Sequence, residues 1–282
     1  FLYILLGSIL LTYGVSISSA SQPTLPEQDM NPPSFRWYKS IDIPAKGAII
    51  TIHGGGWKGG FGEASHQTVR ESMEPKLPKG WAELDVAYRS GGEESMIDIR
   101  KAYAIAREKF GYNKPVCAWG GSAGAHLAIK LAFEKSSLDC VVAEGPPVNM
   151  FSNNDYLDIF IDRYFDPDTL KDWDPETLLQ SKSFRAKMLL GVGVDDPFIN
   201  PLDVQSFARL ADKKRLDAEA VVLPKAIEGD SIPFVHTNTT EEANSHYMSK
   251  VKDLFRQSIR AKENQLRFKR IMNRIKHSIR RS

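Results

Sequence analysis

The chain has 282 residues, of which 42% are hydrophobic and 26% are charged. That length suits a single large α/β domain, and the apolar content excludes a protein too poor in hydrophobic residues to form a core. A core of this size needs no disulfide for stability. The two cysteines, Cys117 and Cys140, lie in apolar strand-like runs, where we expect buried free thiols.

The net charge of +2 is distributed unevenly along the chain. Residues 256–282 carry ten Lys or Arg and one acid, Glu263, so this segment has a net charge of +9 and the rest has −7. An acidic body with a basic tail differs from a uniformly neutral protein, because the tail can attract anionic surfaces.

The chain begins with an apolar segment. Residues 1–11 are too few to span a bilayer, and they lead into a serine-rich stretch. Small residues at Ser18 and Ala20 fit the small-x-small pattern of a signal-peptide cleavage site. We predict a cleaved signal peptide over residues 1–20, with a membrane anchor as the alternative. A linker rich in Pro and Ser over residues 21–33 would follow, and the protein would be secreted or periplasmic.

Strand-like and helical segments alternate through the body of the chain. The predicted strands are residues 47–52, 81–88, 116–119, 140–143, 188–194 and 218–223. The predicted helices are residues 97–110, 123–133, 204–214 and 241–259. Because such alternation is typical of βαβ units, it predicts an α/β domain over residues 34–260, with a mostly parallel sheet and helices on both faces.

One segment, residues 150–183, breaks this alternation. Its large aromatic side chains include Tyr156, Phe160, Tyr164, Phe165 and Trp173. Connections of this length are usually lids, binding segments or disordered, and the aromatic content argues against disorder. We predict a short lid-like insertion whose Tyr164 and Phe165 shape a substrate pocket. The alternative is an amphipathic helix packed on the body.

A sharp turn is predicted after the strand over residues 116–119. Residues 120–124 have the pattern Gly-x-Ser-x-Gly, with Ser122 at the centre. A serine in such a strand-to-helix turn has its hydroxyl exposed above the sheet, and the flanking glycines avoid side chains that would clash there. Because a predicted strand precedes the pattern and a predicted helix follows it, a nucleophilic role for Ser122 is favoured over a structural glycine turn.

A second glycine-rich motif, residues 53–57, follows the first predicted strand. Its sequence is His-Gly-Gly-Gly-Trp, and glycines allow backbone N–H groups to approach the oxyanion of a tetrahedral intermediate. The predicted donors are the amides of Gly54, Gly55 and Ala123. The alternative is a phosphate-binding loop, but no Walker-type Lys-Ser/Thr follows the glycines.

Together these motifs resemble those of a known superfamily. Residues 53–57, 86–89 and 120–128 are similar to motifs of the α/β-hydrolases. The most similar branch is the esterase/lipase group related to hormone-sensitive lipase and its acetyl-ester- and formamide-cleaving relatives. The resemblance covers residues 47–260. It departs at Ala125, where relatives usually have Gly, and across the aromatic insertion.

The resemblance implies the α/β-hydrolase fold and a Ser-His-Asp triad in the chain order Ser, Asp, His. The family's G-x-x-D spacing selects Asp196 as the acid, with the adjacent Asp195 as the alternative and Glu144 as a weaker one. The base should follow the last strand. That position favours His236, with His246 in the final predicted helix as the alternative.

The resemblance implies a serine esterase that acts on a small to medium carboxylic ester. Ser122 would attack the acyl carbon, His236 would transfer protons and Asp196 would hold the imidazole, while His53 supports the oxyanion loop. No cofactor or metal is expected, because the sequence has no ligand cluster with metal spacing. The alternatives are an acyltransferase with the same site and a catalytically inactive binding protein of the same fold.

The basic tail over residues 261–282 has apolar residues at helical spacing. They are Phe268, Met272, Ile275 and Ile279, and Lys or Arg residues occupy much of the remaining surface. A basic amphipathic helix of this kind can bind an anionic membrane surface. We predict such binding, with a helix folded on the acidic body or a solvated tail as the alternatives. Nucleic acid is not expected as a partner of a secreted enzyme.

Overall fold

The computed structural model describes residues 32–38, 45–59, 76–152, 154–226 and 230–279. The predicted signal peptide lies outside the described residues, as does all but the last two residues of the predicted linker.

A seven-stranded sheet forms the centre of the described structure. Its strands are β1 (Ser34–Tyr38), β2 (Ala48–Ile52), β3 (Ala82–Ala87), β4 (Val116–Gly121), β5 (Cys140–Glu144), β6 (Lys187–Gly193) and β7 (Ala218–Leu223). In space they follow the order β1-β3-β2-β4-β5-β6-β7. Strands β2 to β7 are parallel. The edge strand β1, which the sequence patterns do not predict, pairs antiparallel with β3. The predicted α/β fold with a mostly parallel sheet is confirmed.

Helices cover both faces of this sheet. They are α1 (Gly92–Phe110), α2 (Ala123–Glu134), α3 (Asp155–Tyr164), α4 (Pro175–Ser181), α5 (Pro201–Lys213) and α6 (Glu241–Ile279). Helices α1, α2 and α5 pack on one face together with Ile50 and Ile52 of β2. Helix α6 packs on the other face, where Ile49 points. Ile49 and Ile50 point to opposite faces because successive side chains of a strand alternate with a period of two residues.

The two cysteines form a disulfide, so the expectation of free thiols is wrong. Cys117 of β4 and Cys140 of β5 are direct partners in the parallel register, with their Cα atoms 4.6 Å apart. Both side chains are buried on the sheet face beneath α6. The strand order makes them neighbours, and this order cannot be read from their apolar sequence surroundings.

The aromatic insertion folds into α3, a 3-10 turn (Leu170–Asp172) and α4. At the start of α3, the side chain of Asn154 accepts hydrogen bonds from helix amides and donates to the carbonyl of Phe198, beyond β6. At the start of α4, the carboxylate of Asp174 accepts from the amides of Thr177 and Met150. The insertion is therefore fastened to the domain at both helix starts.

The final helix, α6, continues to Ile279, so the helix predicted over residues 241–259 and the amphipathic helix predicted in the tail form one element. Among its described side chains the last buried one is Lys262, whose Nζ lies 2.9 Å from the carboxylate of Asp139. From Glu263 to Lys276 every side chain except the half-buried Leu266 is exposed. The helix therefore leaves the body after Lys262. Among the described residues, no helix is both long and apolar enough to cross a membrane.

Candidate active site

Ser122 occupies the turn between β4 and α2. Its φ of 53° and ψ of −123° are an uncommon conformation for a residue other than glycine. The turn is held by a hydrogen bond of 2.7 Å from its amide to the carbonyl of Glu144. A Cβ at Gly120 would lie 2.2 Å from the carbonyl oxygen of Gly124, and one at Gly124 would lie 2.2 Å from that of Ile52. The glycines therefore permit the close packing that the turn requires.

His236 lies in the turn of a short hairpin. Strands β8 (Ile232–Phe234) and β9 (Thr237–Thr239) are antiparallel and are joined by Val235 and His236. The φ of His236 is 62°, in the left-handed region that some tight turns require. Its Nε2 lies 2.8 Å from Oγ of Ser122. The structure therefore brings His236 to the serine, whereas His246 is an exposed residue of α6.

Asp196 contacts the opposite side of the imidazole. Its two carboxylate oxygens lie 3.1 and 3.0 Å from Nδ1 of His236. One of these oxygens also accepts from the amides of Phe198 and Ile199, at 2.9 and 3.0 Å. These two amides orient the carboxylate, and the Asp196 side chain is fully buried. A buried carboxylate in this position can fix the imidazole tautomer and stabilise the imidazolium.

The other candidate acids do not contact the imidazole. Asp195 accepts a hydrogen bond of 2.6 Å from Oγ1 of Thr237 and lies 3.4 Å from Nζ of Lys225. The Thr237 hydroxyl, followed by Lys225, lowers the pKa of Asp195. Glu144 is fully buried beside Tyr247, and this burial raises its pKa. The three residues Ser122, His236 and Asp196 thus form the hydrogen-bonded chain.

The glycine-rich loop borders the serine. A Cβ at Gly54 would lie 3.2 Å from Cβ of Ser122, so the two residues are in direct contact. Ala123 is the first residue of α2, where amides have no partner within the helix. In the described part of the chain, we find no protein acceptor for the amides of Gly54, Gly55 and Ala123. These predicted donors are therefore available to a substrate oxygen.

His53 contacts the same loop and the ring of Tyr88. Its Nδ1 is 2.7 Å from the carbonyl oxygen of Gly54. Its ring stacks on Tyr88, with centroids 4.0 Å apart and an interplanar angle of 7°. The Tyr88 hydroxyl in turn donates to the carbonyl of His53 at 3.0 Å. These contacts place His53 where it can support the loop, as the family resemblance implies.

Aromatic side chains flank the hydrogen-bonded residues Ser122, His236 and Asp196. Phe160 of α3 lies over Gly56, where an added Cβ would be 2.3 Å from the phenyl ring. On the other side, Phe198 packs against the imidazole of His236 with centroids 4.8 Å apart. Tyr156 packs on Phe198 at 6.0 Å. Side chains of α3 and of the loop after β6 therefore flank the site.

Phe165 does not line this site, so the expectation that it shapes a pocket is wrong. It is buried with its ring edge-on to Trp57 at 4.9 Å and to Trp173 at 5.2 Å. The aromatic spacing alone does not show which face of the insertion meets the body. Tyr164 is partly buried against the same core.

A buried histidine with no predicted catalytic role also lies next to the site. His126 of α2 accepts a hydrogen bond from the indole of Trp57 and donates one to the carbonyl of Trp173. It lies one helical turn after Ser122, within residues 120–128 that carry the family resemblance, and that position is its sequence signal. His126 thereby joins the glycine-rich loop, the helix that follows the nucleophile and the insertion.

The model of the BD-FAE family matches residues 41–201, which is more than half of the chain. The matched region contains both glycine motifs, Ser122 and Asp196. His236 lies beyond it, so the position of this histidine rests on the geometry. No curated protein matches the chain.

Solved esterase structures share the fold. Thermogutta terrifontis esterase 2, phosphonylated by sarin, has a TM-score of 0.62 at 18% identity, over 82% of this chain and 95% of its own. Esterase B from Lactobacillus rhamnosis, inhibited by a tributyrin phosphonate, has a TM-score of 0.59 at 18% identity, over 82% and 89%. An esterase from Rhizomucor miehei has a TM-score of 0.62 at 16% identity, over 83% and 80%. The α/β-hydrolase fold is thereby confirmed.

The geometry predicts a large effect for one isosteric substitution of an adjacent acid and a small effect for the other. Asp196→Asn should slow labelling of Ser122 by a fluorophosphonate about 10⁴-fold, because the amide favours the wrong imidazole tautomer. Asp195→Asn should slow it less than about tenfold, because an exposed charge contact contributes little. Labelling rates followed by intact mass spectrometry, with folding checked by circular dichroism, decide the acid. The reverse order of severity would assign the role to Asp195.

Proposed function

The chain belongs to the BD-FAE family of hormone-sensitive-lipase-like esterases, and from this premise we propose that it hydrolyses carboxylic esters through Ser122, His236 and Asp196. The observation that carries the proposal is the distance of 2.8 Å between Nε2 of His236 and Oγ of Ser122, continued by Nδ1 to Asp196. A nucleophile within hydrogen-bond reach of a base, itself oriented by a third group, is the arrangement that covalent acyl transfer needs.

In the first half of the reaction, Oγ of Ser122 attacks the acyl carbon and His236 takes its proton. Asp196 keeps the remaining proton on Nδ1 and stabilises the imidazolium. The carbonyl oxygen becomes an oxyanion that accepts from the amides of Gly54, Gly55 and Ala123, of which a single donor can contribute about 3 kcal/mol. His236 then protonates the leaving alcohol as the C–O bond breaks.

In the second half, water hydrolyses the acyl group on Ser122. His236 removes a proton from the water as the water attacks, and the same amides stabilise the second tetrahedral intermediate. When this intermediate collapses, Oγ of Ser122 leaves and takes back the proton from His236. The carboxylic acid is released and the enzyme returns to its starting protonation state.

We propose a substrate with a small to medium acyl group. Phe160 lies over the oxyanion loop at Gly56, and Phe198 lies against His236, so aromatic walls flank the serine on two sides. The inhibitor of one structural neighbour is a C4-C4 tributyrin phosphonate, which supports a substrate in this size range. Apolar and aromatic walls with few polar groups suit such an acyl chain.

Hydrolysis of aryl esters from acetyl to long-chain acyl tests the proposal. The rate should be greatest for short or medium chains, and Ser122→Ala should lower kcat by roughly 10⁴- to 10⁶-fold, because covalent chemistry requires the hydroxyl. Ser206→Ala, on α5, is the matched control and should leave kcat unchanged. Activity that survives in Ser122→Ala, or wild-type protein that no fluorophosphonate labels, would contradict the assignment. Product analysis in the presence of an added acceptor alcohol reveals any transfer of the acyl group to that alcohol instead of to water.

We further propose that the protruding end of α6 binds anionic membranes. Its exposed apolar side chains are Phe268, Ile271, Met272 and Ile275. The basic side chains on the rest of its circumference are Arg267, Lys269, Arg270, Arg274 and Lys276. At 3.6 residues per turn, the apolar stripe lies roughly a quarter of a turn from the face that packs on the sheet. The body therefore leaves this stripe open to a membrane interface.

Co-sedimentation with vesicles of phosphatidylserine and phosphatidylcholine tests this second proposal. The full chain should bind in a salt-sensitive way, and removal of residues 263–282 should abolish binding without loss of ester hydrolysis. Phe268→Ser combined with Ile275→Ser keeps every charge and should weaken binding about tenfold or more, because two buried apolar side chains are lost. Equal binding by the full and truncated chains, or no binding by either, would refute the membrane role.

We also propose that the protein is exported. The small residues at Ser18 and Ala20 support a cleavage site there, and the disulfide between Cys117 and Cys140 suits an oxidising compartment. Expressed in a bacterium behind an added initiating methionine, the protein should reach the periplasm and begin at Ser21. Ala20→Phe should block this cleavage. N-terminal sequencing checks both, and protein that stays in the cytoplasm with residues 1–20 attached would exclude export.

A further inference from the structure

The glycine-rich loop over residues 53–57, called the oxyanion loop from its proposed role, has positive φ angles at three successive residues. The φ angles of Gly55, Gly56 and Trp57 are 105°, 59° and 56°. Glycine adopts positive φ freely, but a bulky residue such as tryptophan is a genuine outlier there. A loop that contains such a residue keeps its shape only where its surroundings hold it. The position of Trp57 therefore decides where the amides before it point.

Trp57 is held by its side chain in the core between the loop and α2. It is 1% exposed, and its ring lies edge-on to Phe165 and to His126. Its indole Nε1 donates to Nδ1 of His126 at 3.1 Å. A buried indole N–H needs an acceptor, and this nitrogen is the acceptor in the structure.

His126 can accept this hydrogen bond only as a neutral imidazole. Its Nε2 lies 2.8 Å from the carbonyl oxygen of Trp173 and must donate to it, which leaves Nδ1 without a proton. Burial lowers the pKa of His126 to about 4, so the ring is neutral at neutral pH. One turn further along α2, Nζ of Lys130 donates to the carbonyl of Asp172 at 2.5 Å. Both contacts fasten α2 to the insertion.

We propose that His126 is a positioning residue that couples the helix of the nucleophile to the oxyanion loop through Trp57. Ser122 directly precedes α2, and the amide of His126, one helical turn later, donates to the carbonyl of Ser122 at 3.1 Å, so a fixed indole fixes the loop relative to the serine. Gly54 is the loop residue in direct contact with Ser122. This inference rests on the proposed esterase function, in which the loop amides receive the oxyanion.

The expected effect is on the transition state rather than on substrate binding. The negative charge on the substrate oxygen develops only in the tetrahedral intermediate, so displaced donors lower kcat and leave KM nearly unchanged. A histidine that served core packing alone would affect thermal stability without this kinetic signature. The split between kcat and KM therefore separates a positioning role from a structural one.

Two substitutions remove the hydrogen bond from opposite sides. Trp57→Phe loses the indole N–H and keeps an aromatic ring, and His126→Gln keeps a polar group near Nε2 but loses the acceptor near Nδ1. Each should lower kcat about 10- to 100-fold, less than outright loss of an oxyanion donor. His126→Asn retains an oxygen near Nδ1 and should recover most of kcat. The double variant Trp57→Phe/His126→Gln should be no slower than the worse single variant, because both remove one interaction.

Trp81→Phe is the matched control. Trp81 is equally buried but precedes β3 at the amino ends of the strands, where it packs on Phe255, away from Ser122. It should reduce the melting temperature without reducing kcat. The inference is overturned if Trp57→Phe lowers kcat no more than Trp81→Phe, or if His126→Asn is as slow as His126→Gln. Should the His126 variants fail to fold, the two tryptophan variants still decide it.

The rate of fluorophosphonate labelling separates this inference from the proposed function. Labelling of wild-type Ser122 supports the function, and slower labelling of Trp57→Phe by the same factor as kcat supports the role of His126. If the wild type is labelled and Trp57→Phe is labelled equally fast, the positioning role fails and the esterase function stands. A wild type that resists labelling removes both.

Discussion

The first turn of α2 packs against the carboxyl end of β2 more closely than any side chain at Gly124 would allow. A Cβ there would lie 2.2 Å from the carbonyl oxygen of Ile52, the last residue of β2. Because the glycine-rich loop begins directly after Ile52, this approach brings Gly54 against Ser122. The close approach of α2 to the end of β2 thus places Ser122 beside the glycine-rich loop.

Three residues at the site have backbone conformations that side chains usually avoid, and each is held by an identified contact. Ser122 is held by the hydrogen bond from its amide to Glu144, and His236 by its contacts with Asp196 and Phe198. Trp57 is held by His126. Such conformations persist only where the surrounding structure over-determines them, and they concentrate at functional sites. The same contacts that hold the backbone therefore also fix the relative positions of Ser122, His236 and Trp57.

Much of the fold follows from local patterns. Apolar residues recur at strand-like spacing in the six parallel strands and at helical spacing in the helices between them. Both glycine motifs lie at the predicted ends of strands. The edge strand β1 is missed because its residues are only partly buried. The hairpin of β8 and β9 is missed because each strand has three residues, too few for a period to be recognised. The helix over residues 241–259 and the amphipathic tail are predicted as separate segments, because the apolar face changes direction where α6 leaves the body; in the structure they form one helix.

By itself the sequence determines the features that depend on neighbouring residues: the glycine turns, the strand and helix periods, and the amphipathic pattern of the basic tail. It does not determine which distant groups meet. The family's spacing favours Asp196 over the adjacent Asp195 but leaves both open, and it is the loop after β6 that turns Asp196 to His236 and Asp195 to Thr237. The pairing of Cys117 with Cys140 likewise depends on strand order. These contacts join segments that are far apart in the sequence, so only the tertiary structure decides them.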